Sequence, residues 1–160
     1  MSRSSAASST VRLLRVSSTN LATPICSSSR AARAKAALRF ALEEARFRQA
    51  RLRAVHAIGS FGSHRPLEWG DDRAVHRATE ELLENVTREV AGEFDDVEIE
   101  RRVVKGTPAS SLIDESRGAD LLVVGSRGHG GFPGLLLGAV GQQCAQHAAC
   151  PVVIVHKPEE

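Results

Sequence analysis

The chain has 160 residues, 42% of them hydrophobic, and a formal net charge of +2 from 21 Lys and Arg against 19 Asp and Glu. That length suits one domain with a real core, and so small a charge gives no ground for nucleic-acid binding. Three cysteines, an odd number at irregular positions, argue against a disulfide framework and for a reducing compartment; no apolar stretch approaches the length of a membrane span.

Residues 1–33 are rich in Ser, Ala and Arg and carry no carboxylate, the first acidic residue being Glu43. Three readings fit: an organellar transit peptide, a tail too polar to order itself, or a displaced start or reading frame that has lost the proper first strand. The last two are favoured. A secretory signal is not expected, because no apolar core segment follows the first arginine. The expected organisation is an atypical segment over 1–33 and a folded domain over 34–157.

Val11–Val16 is the only early run with strand character. From Arg30 to Gln49, Ala34, Ala37, Leu38, Ala41, Leu42 and Ala45 recur at helical spacing, with arginines and Glu43-Glu44 outside. Leu52–Ile58 reads as a short strand bounded by Gly59, and a polar loop to Asp72 holds the only tryptophan, Trp69. Asp72 is a candidate cap for a helix with Val75, Ala78, Leu82, Val86 and Val90 as its inward stripe. Val97–Val104 reads as the third strand. Thr107 then offers an N-cap, Pro108 a first helical residue and Gly118 a stop.

Leu121–Gly125 is an uninterrupted apolar run, as expected of a strand covered on both faces. A helix follows over Gly138–Ala148, then Pro151 and a last strand, Val152–Val155. Alternating strands and helices imply a parallel sheet with crossover connections. The order strand, glycines, helix start is how such proteins place bare backbone N–H groups around a phosphate. Glycine admits close approach of a ligand to the main chain.

The run Gly125-Ser126-Arg127-Gly128, nine residues, Gly138, then Cys150-Pro151-Val152-Val153-Ile154-Val155 resembles the C-terminal half of universal stress proteins. Upstream, Ala37–Ala45 and Arg51–Ala57 are similar to that family's first helix and second strand. The resemblance covers roughly Ala36 to His156. It implies an α/β fold: one Rossmann-like, adenine-nucleotide-binding-type open parallel sheet of about five strands with helices on both faces. It also implies a cytoplasmic, stress-linked regulatory protein that binds ATP or a related adenine nucleotide without robust catalysis, and a homodimer formed through Val152, Val153, Ile154 and Val155. The implied ligand-binding positions are Ala57, Val124, Gly125, Arg127, Gly128, Gly138, Ala139, Val140 and Gly141.

Two departures from the family pattern bear on this reading. A Ser or Thr that usually follows the last glycine is here Ala139, and a nearby position often hydroxylated in relatives is Gly141. The family's first strand ordinarily ends in Val-Asp-Gly-Ser, with the aspartate holding adenosine; counted back from Ala37-Leu38 it should fall near 25–31, with Ser29 at the aspartate. A degenerate module that dimerises without nucleotide is therefore the rival. An adenine-nucleotide hydrolase would need a metal-holding carboxylate near the glycine loop, and none is there.

Other constellations are weaker. Cys144, His147 and Cys150 have ligand-like spacing but supply three donors where structural zinc takes four, so no metal site is expected. His129 reads as polar loop surface and His56 as a residue pointing into the sheet face. Ser110, Ser111, Asp114 and Glu115 do not form a nucleophile–base set, and no catalytic residue is assigned.

Overall fold

The computed structural model describes residues 10–16, 28–58, 72–126 and 137–156, with side chains from 34–58, 73–126 and 137–156. The elements are β1 (Thr10–Val16), α1 (Ser28–Phe47), β2 (Arg51–Ile58), α2 (Asp72–Ala91), β3 (Ile99–Lys105), α3 (Pro108–Glu115), β4 (Leu121–Gly125), α4 (Ala139–His147) and β5 (Val152–Val155). The five strands form one sheet in the order β3-β2-β1-β4-β5, and every pairing is parallel.

The expected α/β class is therefore the observed one. Two packed clusters show why helices are needed on both sides. On one face, Ala37, Leu38, Ala41, Leu42 and Ala45 of α1 meet Leu52, Leu121 and Val123 of the sheet, with Val90 of α2 and Phe94 and Val97 beyond it. On the other face, Val55, Leu122 and Val124 pack on Leu112 of α3 and Cys144 of α4. Successive residues of β4 thus point into opposite layers, and Leu121 to Val124 are all buried.

Four expectations need correction. The first strand of the sheet is Thr10–Val16, not a segment near 25–31; Ser28 already opens α1. The alanines and arginines of that stretch favour helix over strand, so Ser29 is a helical residue. The residue following β1 is Ser17, so the strand still does not end in a carboxylate. Residues 1–33 contribute β1 and the opening of α1, and the boundary drawn at 33 runs through that helix.

The inward stripe of α2 also differs. Val75, Thr79, Leu83, Thr87 and Val90 are buried, while Ala78 is exposed and Leu82 only partly covered. Two threonines take inward places, and each satisfies its hydroxyl on its own helix: Thr79 Oγ1 donates to the Val75 carbonyl at 2.8 Å and Thr87 Oγ1 to that of Glu84 at 2.9 Å. A bonded threonine can be buried like valine. Finally, β3 begins at Ile99; Val97 is buried as a turn residue, its N–H bonded to the Phe94 carbonyl.

Charge fastens the outside. Lys35 pairs with Glu89, Arg39 with Glu93 and Arg46 with Asp96, a row along the α1–α2 seam. These groups are exposed, so each pair contributes little. Arg53 is more enclosed: its Nε reaches Glu100 at 2.7 Å and a terminal nitrogen reaches Glu115 at 3.3 Å. Arg102 holds the other Glu115 oxygen at 2.8 Å, so α3 is tied across β2 and β3.

At the carboxyl end of the sheet, Gly106 donates its N–H to the Ile58 carbonyl at 3.0 Å and sits at φ +142°. A Cβ there would lie 2.8 Å from Ser111 Oγ. Replacing Gly106 by Ala should cost about 1–3 kcal/mol in a denaturant titration. Gly92→Ala, where a Cβ meets nothing within 4 Å, should leave stability unchanged or slightly higher.

Candidate functional site

The sheet order reverses between β1 and β4: β2 and β3 lie on one side of β1, β4 and β5 on the other. In register, Leu14 lies opposite Val124 and Val16 opposite Ala57. The carboxyl ends of β1, β2 and β4 therefore converge, which is where open parallel sheets present crevices for ligands. Val124 is buried in β4 and Gly125 ends that strand. Ala57 is fully buried one residue before the end of β2.

The return helix starts beside that end. Gly138 is the N-cap of α4, in extended conformation at φ −73° and ψ 153°, and no side chain caps the helix. Gln142 makes the first intrahelical bond, to the Gly138 carbonyl at 3.0 Å. The N–H groups of Ala139, Val140 and Gly141 precede it, and such groups have no partner within their own helix. Among the described residues none supplies them with an acceptor. Ala139 is exposed, Val140 is half-buried against the α3–α4 cluster, and Gly141 is buried.

Gly141 is buried in the first turn of α4. A Cβ there would lie 3.7 Å from Leu137 Cγ and 3.9 Å from the Gly125 carbonyl oxygen, so α4 rests its first turn on the end of β4. The gap is ordinary contact, and alanine would fit, whereas a larger side chain would press on Leu137.

Two neighbouring donors are used internally. Ser126 N–H bonds to the Val155 carbonyl at 2.9 Å, and the Ser126 carbonyl accepts from Gly138 N–H at 2.8 Å. The backbone of one residue thus joins the end of β5 to the start of α4. Sequence reasoning missed this junction because nothing in the identity of a serine signals two backbone bonds. Arg127, Gly128, His129 and Trp69 lie outside the described residues.

The other candidates separate by burial. His56 is fully buried in β2, and its position fits a side chain within the sheet layers. Cys144 is fully buried, whereas His147 is exposed and Cys150 partly so. Among the described residues no group of three His, Cys, Asp or Glu is placed to hold a metal ion. No helix among them is long and apolar enough to cross a membrane.

The sequence model of the universal stress protein family matches residues 30–156. The chain belongs to that family. It is 38% identical over 117 residues to a universal stress protein of Mycolicibacterium smegmatis, covering 72% of this chain and 39% of the relative. With one from Mycobacterium tuberculosis H37Rv it shares 39% over 122 residues, 73% and 39% of the two chains. It therefore spans about two fifths of the length of these curated relatives. Among solved structures it is similar to the universal stress protein UspA from Lactobacillus plantarum (TM-score 0.62, 19% identity, covering 92% and 97% of the two chains). It is also similar to a universal stress protein in complex with cAMP (0.60, 24%, 94% and 98%) and to one from Archaeoglobus fulgidus in complex with dAMP (0.55, 22%, 92% and 96%).

Burial pushes the Cys144 thiol up to about 11, and Cys150 adds to the shift. The folded chain therefore keeps a proton that the unfolded chain releases near 9, so stability falls as pH rises from 9 to 11. The loss should approach about 2.7 kcal/mol for that two-unit difference. Urea titrations across that range check it, with Cys144→Val expected to remove the alkaline decline.

Proposed function

We propose that this domain is a stress-linked regulatory module that binds an adenine nucleotide, ATP or a close relative, at the junction of β1, β4 and α4. The observation that carries the reading is the uncapped start of α4: three successive N–H groups, on Ala139, Val140 and Gly141, lie beside the carboxyl end of β4 at the strand reversal. A helix N-terminus favours an anion by its donors and its dipole. Gly125, Gly128 and Gly138 let phosphate approach the backbone, Arg127 supplies charge, and Val124 and Ala57 line the apolar side. Family members of the same fold bound to cAMP and to dAMP support adenine as the base.

Turnover is not part of the proposal. In this reading the domain reports occupancy and does not consume the ligand. We place it in the cytoplasm, consistent with three cysteines and no disulfide framework.

The module dimerises through β5 in this reading, because the two sheet edges differ in kind. The outer strand β3 carries Glu100, Arg101, Arg102 and Lys105, with both arginines exposed; charge of this sort blunts an edge. The other edge is Val152, Val153, Ile154 and Val155, all half-buried, and it gains by being covered. Light scattering should give twice the 17.1 kDa of one chain, and Val153→Arg should return the single-chain mass.

The rival is a module that dimerises without nucleotide. It draws support from Ala139, which has no hydroxyl to offer, and from the lack of any carboxylate after β1. Equilibrium dialysis with ATP separates the two, and no retention at millimolar nucleotide would end the nucleotide reading. Ala139→Ser should tighten binding by roughly tenfold to a hundredfold, the worth of one hydrogen bond to a charged group. Ala139→Asp should abolish binding by setting a carboxylate where the phosphate belongs. It should also leave the melting temperature unchanged or higher, since an acidic first turn favours the helix dipole.

A further inference from the structure

Two of the three cysteines of this chain stand six residues apart at one corner of the fold. Cys144 lies in the second half of α4 and is fully buried; Cys150 precedes β5 by a single proline and is partly exposed. Both are thiols, and both pack in the apolar cluster that holds Leu112, Leu122 and Val152. The chain between and beside them is pinned by hydrogen bonds. Ala148 N–H donates to the Cys144 carbonyl at 2.9 Å, Ala149 N–H to the hydroxyl of buried Ser116 at 2.8 Å, and Leu122 N–H to the Pro151 carbonyl at 2.9 Å. The two side chains therefore meet one packed layer, the first from the end of α4 and the second from the entry to β5. Buried thiols by themselves are small apolar fillers. A pair differs from two fillers when one member meets solvent, and Cys150 does.

Burial divides the chemistry between them. An oxidant arriving from water reaches Cys150 and not Cys144, which has no exposed surface. Burial also raises the Cys144 thiol to about 11, and the charge of Cys150 adds to the rise. Cys144 thus stays protonated near neutral pH and inert toward solvent, while feeling the state of its neighbour. Such a thiol does not start an oxidation. It is suited to finish one, because a sulfur of high pKa is the stronger nucleophile once a reactive partner is placed against it.

We infer that Cys144 and Cys150 are a peroxide-responsive pair that closes to a disulfide within one chain. The Cys150 thiolate attacks one oxygen of a hydroperoxide and the O–O bond breaks. The departing alkoxide takes up the Cys150 proton and leaves as an alcohol (water, for hydrogen peroxide), and Cys150 carries a sulfenic acid. Cys144 Sγ then attacks that sulfur, the S–O bond breaks, and water departs with the Cys144 proton. Together the two thiols give up two electrons and two protons, and one hydroperoxide becomes an alcohol and water. A small dithiol reverses the bridge by exchange. Disulfides in reducing compartments are mostly of this transient kind. Once closed, the bridge ties the end of α4 to the entry of β5, whereas the Ser126 backbone ties the start of α4 to the end of β5. The oxidised corner is thus held at both ends. None of this depends on the nucleotide reading.

The test exposes the reduced full chain to hydrogen peroxide, then unfolds it, alkylates it with N-ethylmaleimide and weighs the peptide carrying both cysteines by mass spectrometry. The expected peptide is lighter by two hydrogens and takes up no label, and dithiothreitol restores labelling at both positions. Without peroxide, Cys150 should be labelled in the folded chain and Cys144 only after unfolding. In Cys144→Val, Cys150 should pass on to the sulfinic acid, which dithiothreitol does not reverse. In Cys150→Ser, Cys144 should remain fully labelled after the same exposure, because the buried thiol does not meet the oxidant. The inference is overturned if the unaltered chain keeps both labels, gains oxygen at Cys150 without closing a bridge, or is joined instead to a second chain. Oxidation of Cys144 in Cys150→Ser at the rate of the unaltered chain overturns it equally. The first measurement is made on the unaltered chain, so a variant that fails to fold leaves it decisive.

Discussion

Parallel pairing of β1 with β2 on one side and β4 on the other is the contact on which the rest of this domain depends. It makes a segment of seven residues the centre of the sheet, and it alone creates the strand reversal. Without β1, β2–β3 and β4–β5 would be two separate ribbons, each too small to hold a core independently. Its register carries the site as well, because Leu14 opposite Val124 and Val16 opposite Ala57 bring three strand ends level. Helices α1 and α2 on one face and α3 and α4 on the other then follow from burying both sides of that sheet.

How much of this was legible in the sequence varied with the physics of each segment. β4, α3 and α4 could be read almost to the residue because their signals are local: an unbroken apolar run, a Thr-Pro start, a glycine before a helix. The α2 stripe was misread because burial of Thr79 and Thr87 depends on hydroxyls bonded within the helix, which composition does not display. The place of the first strand was misread for another reason. Counting back from α1 assumed a loop of ordinary family length, whereas eleven residues, 17–27, separate β1 from α1, and loop length carries little energetic constraint. The carboxylate missing after the strand does not depend on that count, since every candidate position before Glu43 is neutral or basic.

The candidate site shows the same division. Its glycines were readable as a spaced motif and its helix start as a donor cluster. The role of the Ser126 backbone was not readable, though its N–H donates to the Val155 carbonyl and its carbonyl accepts from the Gly138 N–H. That unit sets the end of β5 and the start of α4 in fixed relation, and the shared packing of Val140, Val152 and Ile154 on one cluster reinforces it. Edge strand and helix start are therefore parts of one rigid corner, not neighbours by accident of folding.

That corner also explains why losing a side-chain hydroxyl at 139 differs in kind from losing the helix start. Three N–H groups come with any residue except proline, and their orientation is set by the Gly138 cap and by contact of Gly141 with the Gly125 carbonyl. One hydroxyl to a charged group is worth about 1.5–3 kcal/mol, and its loss leaves the donor cluster in place. The dipole and remaining donors act on any anion of suitable size, so what disappears with the hydroxyl and the carboxylate is discrimination between ligands more than attraction to phosphate. A site stripped in this way is governed by charge.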